Sequence, residues 1–369
     1  MGISMSKETA KNQVSRSIVR RLILGRGRNA MISRQELIRY SKLNPRTVDS
    51  YVAELEERGI ISRETVSSGP GRPETYYRSA NVPVLFLGVH VYSREAWVMA
   101  TDIDQHPYFM DKLPVNLDDH NSAWHINRFM AMLDRLLSQF PSYRLLGIGM
   151  SYHHYRGGLK TKKLFQELGK ALTQRYPAPT NLMEAADVML LSYCRVFLFP
   201  HQQHLNLALL NPSDNAYLGL RLGGRSKLFA QRTNSQQKKM LEGILTHDTI
   251  VNRFRELTGN KDIREIHEYR EAVFRGDPAA RQLSREEAEC LAAAIIRLQK
   301  HYKLDVIYLT NIISETHCRV QEIIRKTPGL GNFQVLRLRE FSIIHYLTGA
   351  CEVALDVSCG FFVNELTGN

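Results

Sequence analysis

The sequence is poor in the features that pin many folds from outside. Its five cysteines, Cys194, Cys290, Cys318, Cys351 and Cys359, are scattered and odd in number, with no C-x-C or C-x-x-C pair. That spacing argues against a disulfide framework or a cysteine-rich zinc site, and it fits buried thiols in a reducing compartment. No apolar run approaches the roughly 20 residues that a bilayer-spanning helix needs. The first residues, MGISMSKETAKNQ, lack the apolar core of a signal peptide. The expected location is cytoplasmic, without a membrane partner. There is no low-complexity segment and no repeat of short period.

What the chain has in excess is positive charge, 49 Lys and Arg against 37 Asp and Glu over 369 residues. Met1 to Ala80 alone holds 15 basic and 8 acidic side chains, more than half of the formal net of +12. A basic end on a near-neutral body suggests a nucleic-acid-binding module joined to a separate globular domain.

The local signals of the first eighty residues agree with that. Val14, Ile18 and Leu22 form the apolar stripe of a helix, with Arg16, Arg20 and Arg21 elsewhere on it, and Gly25 and Gly27 end it. Ser33-Arg34-Gln35-Glu36 reads as a capping box opening a short second helix. Asn44 and Pro45 suit the N-cap and first turn of a third, in which Val48, Val52 and Leu55 make the inner face and Gly59 the stop. This is the helix-turn-helix order. Its second member would enter the major groove with Arg46, Thr47 and Ser50 toward base edges, while Arg16, Ser33, Arg34 and Arg63 contact phosphate. Ile61–Val66 and Thr75–Arg78 read as a hairpin, hence a wing. Between them SSGPGRPETYY does not join a strand to a helix, so it is no nucleotide loop. It is adequate as a plain turn. Its Pro-Gly-Arg-Pro core is also similar to a minor-groove-binding AT-hook, which would place Gly71 and Arg72 in a narrow A·T-rich groove.

The run ISRQELIRYSKLNPRTVDSYVAELEERGIISRETVSSGPGRP, followed by LFLGVHVYSREAWVMATDID, resembles the ROK family of repressors, uncharacterised frames and kinases, in its xylose and N-acetylglucosamine repressor type. Gly71-Arg72-Pro73 matches the segment that joins the two domains of its repressors. NLMEAADVMLL, KMLEGILTHDTIVNRF, DVIYLTNI and TGACEVALDVS continue the resemblance less sharply. Independently, short β-rich runs such as RLLGIGMSY alternate with helical patterns such as REEAECLAAAIIRLQKHY, which indicates α/β layers. The resemblance implies an α/β protein with a winged helix-turn-helix over 1–80 and a two-lobed actin/sugar-kinase-like ROK domain over 81–369. The lobes would run roughly 81–200 and 201–369.

Departures from the family bear on activity. Where the kinases carry a D-x-G-G-T phosphate turn, this chain has His90-Val91-Tyr92-Ser93-Arg94. Where they carry E-N-D, with the aspartate as general base, it has Glu184-Ala185-Ala186, and Asp187, one place late, reads as a helix N-cap. The residues before Leu241-Glu242 lack the family's zinc-binding His and Cys. No catalytic residue, metal or cofactor is expected. Glu184 and Glu242 match glutamates that touch sugar in the family and are the candidate effector contacts, and each could instead cap a helix. The expected protein is a DNA-binding regulator, most simply a repressor. It would act as a homodimer or tetramer on an inverted-repeat operator in double-stranded DNA, with A·T-rich flanks where Arg72 reads the minor groove, and answer to a sugar, a sugar phosphate or a protein partner. An active sugar kinase fused to a DNA-binding domain is the alternative.

Overall fold

A computed structural model describes residues 7–24, 30–67, 73–92, 95–115, 122–152, 159–197, 205–212, 216–222, 225–226, 239–330, 332–338 and 342–359. The chain divides into two compact units, one made of 1–203 with 343–369 and the other of 204–342.

The first unit opens with α1 (Lys7–Leu24), β1 (Ile32–Ser33), α2 (Arg34–Ser41), α3 (Pro45–Glu57), β2 (Ile61–Val66) and β3 (Glu74–Ser79). Each boundary has a local cause. The Ser33 hydroxyl accepts from the Glu36 amide at 3.2 Å while the Glu36 carboxylate accepts from the Ser33 amide at 3.0 Å, the reciprocal capping box. Asn44 caps α3 through the Thr47 amide, with Pro45 in its first turn. Gly59 turns the chain out of α3 at φ 67°. The strands form an antiparallel sheet in the order β1-β3-β2, and Leu22, Leu37, Val48, Val52, Leu55 and Tyr77 close one core beneath it.

The same unit continues with β4 (Val84–Tyr92), β5 (Glu95–Thr101), β6 (Pro107–Pro114), α4 (Ser122–Leu137), β7 (Arg144–Tyr152), α5 (Leu159–Arg175), β8 (Thr180–Glu184) and α6 (Ala185–Phe197). Its sheet runs β6-β5-β4-β7-β8, antiparallel from β6 to β4 and parallel from β4 to β8. The second unit contains β9 (Leu207–Pro212), β10 (Ala216–Leu222), β11 (Arg225–Ser226), α7 (His247–Thr258), α8 (Ile266–Arg275), α9 (Pro278–Tyr302), β12 (Val306–Leu309), α10 (Ser314–Lys326) and β13 (Gln334–Arg337). Its sheet, β11-β10-β9-β12-β13, repeats the same plan of three antiparallel strands followed by two parallel ones.

A closing helix, Ile343–Ser358, belongs to the first unit and not to a second lobe reaching residue 369. The reason is steric. It lies so close to β7 that a Cβ on Gly147 or Gly149 would collide with the backbone carbonyls of Ala354 and Ala350. Asp187 also differs from expectation: α6 begins at Ala185, so Asp187 sits inside the first turn and is not the N-cap. A carboxylate is favoured there by the helix dipole. Cys194, Cys351 and Cys359 are buried, as small apolar thiols should be, whereas Cys318 is exposed.

Candidate nucleic-acid interface

Helix α3 has two faces. Val48, Tyr51, Val52 and Leu55 are buried in the core, while Arg46, Asp49, Ser50 and Ala53 follow one another at i, i+3, i+4 and i+7 on the outer side. Arg46 and Ser50 are exposed and Thr47 is half-buried. The three residues expected to read bases therefore stand together at the N-terminal end of one helix, and the antiparallel pair β2–β3 follows as a hairpin in the wing position.

Each residue expected to touch phosphate already has an intramolecular partner. Arg16 pairs with Glu54 at 3.0 Å and lies over the Tyr51 ring. Arg63 pairs with Glu56 at 2.6 Å and lies over the buried Tyr77 ring. Ser33 is buried, its hydroxyl spent on the capping box, which removes it as a direct contact. Arg34 makes a two-pronged contact with Asp49: Nε donates to Oδ1 at 2.8 Å and Nη2 to Oδ2 at 2.7 Å. The hydrogen bond from Arg34 holds the Asp49 carboxyl below its usual range, against a smaller opposing effect of burial. Gly71 and Arg72 lie outside the described residues.

The sequence reading missed how α1 is anchored. Arg20 is wholly buried and donates to Asp356 and, at 3.3 Å, to Glu352, while Arg21 donates to Asp356 at 3.4 Å. Both carboxylates come from the closing helix. Burial alone would lower the Arg20 pKa, but Asp356 and Glu352 outweigh it and keep the guanidinium ionised. The run of basic and apolar residues from Ile18 to Leu24 gave no local sign of partners more than three hundred positions away.

Elsewhere the residues compared with the kinases are placed as follows. His90 lies within β4, 1 % exposed, with Nδ1 3.1 Å from the Ser151 hydroxyl and its ring stacked on Tyr346 at 4.3 Å. Glu184 ends β8 in the first unit, and Glu242 is exposed in the second. Of the residues before Leu241 that were compared with the family's zinc segment, 230–238 lie outside the described residues. Asp102, Asp104 and His106 gather at the β5–β6 turn, where Asp102 accepts from the amides of Asp104 at 2.8 Å and His106 at 2.9 Å. No described helix is long and apolar enough to cross a membrane.

No family model matches the sequence, and no curated protein matches it. Solved structures do. A ROK family transcriptional regulator, described as a homologue of the E. coli MLC protein, is similar over 95% of this chain and 98% of its own, with TM-score 0.66 and 16% identity. A ROK hexokinase from Thermus thermophilus is similar over 73% of this chain and 98% of its own, with TM-score 0.60 and 15% identity. A ROK glucokinase from Streptomyces griseus, solved with glucose and AMPPNP, covers the same share of this chain at TM-score 0.52 and 14% identity. The chain thus shares the α/β fold of these ROK structures, over nearly its whole length with the regulator and over 73% of it with the kinases.

Proposed function

We propose that the protein is a sequence-specific DNA-binding regulator, most simply a cytoplasmic repressor, whose body no longer phosphorylates sugars. The observation that carries this reading is the outer face of α3, where Arg46, Thr47 and Ser50 project from a capped helix followed by a wing. Two further points support it. The regulator-type structure extends over a larger share of the chain than the kinases do, by about the length of the first eighty residues. His90, where the resemblance puts a magnesium-holding aspartate, is a buried, stacked imidazole with a hydroxyl partner, a poor cradle for phosphate oxygens.

In this reading Arg46 donates to a guanine edge, and Thr47 and Ser50 touch bases or phosphates. Arg16 and Arg63, partly in solvent, turn to phosphate, and Arg72 enters the minor groove of an A·T-rich flank. Two copies on a two-fold axis would read an inverted repeat. The resemblance makes Glu184 and Glu242 candidate contacts for a sugar or sugar phosphate, though each could instead cap a helix; a protein partner is the other candidate effector. The deciding measurement is selection of bound fragments from random double-stranded DNA. Wild type should return a two-fold-symmetric motif, and Arg46→Ala should lose preference at one position in each half while its melting temperature is unchanged. Undiminished preference in Arg46→Ala would remove α3 as the reader. Steady ATP turnover with any hexose would reinstate the kinase.

A further inference from the structure

We infer that Asp49 is a specificity-determining residue that reads the exocyclic amine of a cytosine, and that Arg34 positions it. This rests on α3 being the DNA reader and adds a base identity to that reading.

Asp49 shares the outer face of α3 with Arg46 and Ser50, one turn beyond Arg46, so it faces the same groove. Its side chain is 46% exposed, and its two oxygens face the fork of Arg34, which opens α2. An isolated carboxylate in that place would be repelled by the phosphates and would sample several rotamers. The guanidinium offsets the first problem and removes the second, because a planar fork fixes a carboxylate in one orientation. The hydrogen bonds from Arg34 also keep the group ionised, hence acceptor-only.

A carboxylate has about four lone-pair positions, and Arg34 takes two of them. The others can accept from a base. In the major groove only cytosine N4 and adenine N6 offer a donor, and adenine sets its acceptor N7 beside that amine. An acceptor-only group is repelled by N7, so cytosine is the better partner. Asparagine at the same place, with both a donor and an acceptor, would favour adenine.

The test is the same selection from random double-stranded DNA, run with wild type, Asp49→Asn, Arg34→Ala, Arg34→Lys and Arg46→Ala. Wild type should require cytosine at one position of each half-site. Asp49→Asn should move that position alone to adenine, a change in preference of about five- to a hundredfold. Arg34→Ala should blur the same position without shifting the others, and Arg34→Lys, which keeps the charge but not the fork, should restore it in part. If wild type and Asp49→Asn select the same base everywhere and differ only in affinity, Asp49 is a tether between helices and the inference fails. If Arg46→Ala changes the motif in that outcome, the DNA-reading role of α3 survives alone. If wild type selects no motif, both fall.

Discussion

Two arginine–carboxylate contacts in this molecule use the same chemical groups to opposite ends. Arg34 and Asp49 are 15 residues apart, partly exposed, and join two short helices, α2 and α3, of the N-terminal module. Arg20 and Asp356 are 336 residues apart, sealed from water, and join that module to the closing helix of the body within the first unit. In the first, solvent screens the charges, so little folding energy depends on the pair. In the second, two arginines and two carboxylates have given up their hydration, and each ion is tolerable only because the others are present. Environment decides what a salt bridge is for.

The largest effect should come from breaking the buried set. Arg20→Met removes the guanidinium that Asp356 and Glu352 share and should cost about 3–5 kcal/mol in urea denaturation at neutral pH. Replacing the set by apolar groups, Arg20→Met with Glu352→Met and Asp356→Leu, should recover most of that loss, since no buried ion is then stranded. Arg21, at the rim with 8 % exposure, can turn its head toward water. A cost below about 1 kcal/mol for Arg20→Met alone would show that water reaches the cluster, and the contrast with Arg34 would vanish.

A carboxyl in the second unit sharpens the comparison, because hydroxyls supply its hydrogen bonds. Glu287, on α9 in the second unit, accepts from the Thr316 hydroxyl at 3.0 Å and the Tyr269 hydroxyl at 3.3 Å. Burial pushes its pKa from an ordinary 4.5 up to about 7, and the hydroxyls recover only part of that. Below pH 4.5 the group is protonated whether the chain is folded or unfolded. As pH rises from there to 7 the unfolded chain releases the proton while the folded one holds it, so stability falls, by something of the order of 3 kcal/mol, and then levels off. Glu287→Gln should flatten that slope and melt higher than wild type at pH 8. Identical pH profiles for the two proteins would mean that Glu287 is not desolvated.

These sites also mark the limit of what the sequence makes legible. The helices and turns of the N-terminal module were readable because their signals are local: Ser33 with Glu36, Asn44 with Pro45, and Gly59 each act within a few residues. The strands and helices of the body were readable for the same reason. What packs on them was not. Arg20 and Arg21 look like surface charges of a basic helix until the closing helix supplies carboxylates from the far end of the chain. Gly147 and Gly149 look like ordinary strand residues until that helix needs their missing side chains. Arg34 reads as one more phosphate contact, because nothing in its neighbours shows that Asp49, a turn into the next helix, will face it.

The smallest expected change in stability completes the comparison from the other side. Arg34→Ala removes a bidentate contact between side chains that are 39% and 46% exposed, and the freed Asp49 carboxylate can be hydrated where it stands. The loss should be about 1 kcal/mol or less in the same urea titration, and it should shrink further as salt is raised from low to high concentration. A cost above about 2 kcal/mol, insensitive to salt, would mean that the pair holds α2 against α3 as the buried cluster holds α1. Asp49 would then be committed to folding, and its orientation would not be available for reading a base. A small, salt-sensitive loss accompanied by a blurred motif is the combination that separates a positioning contact from a structural one.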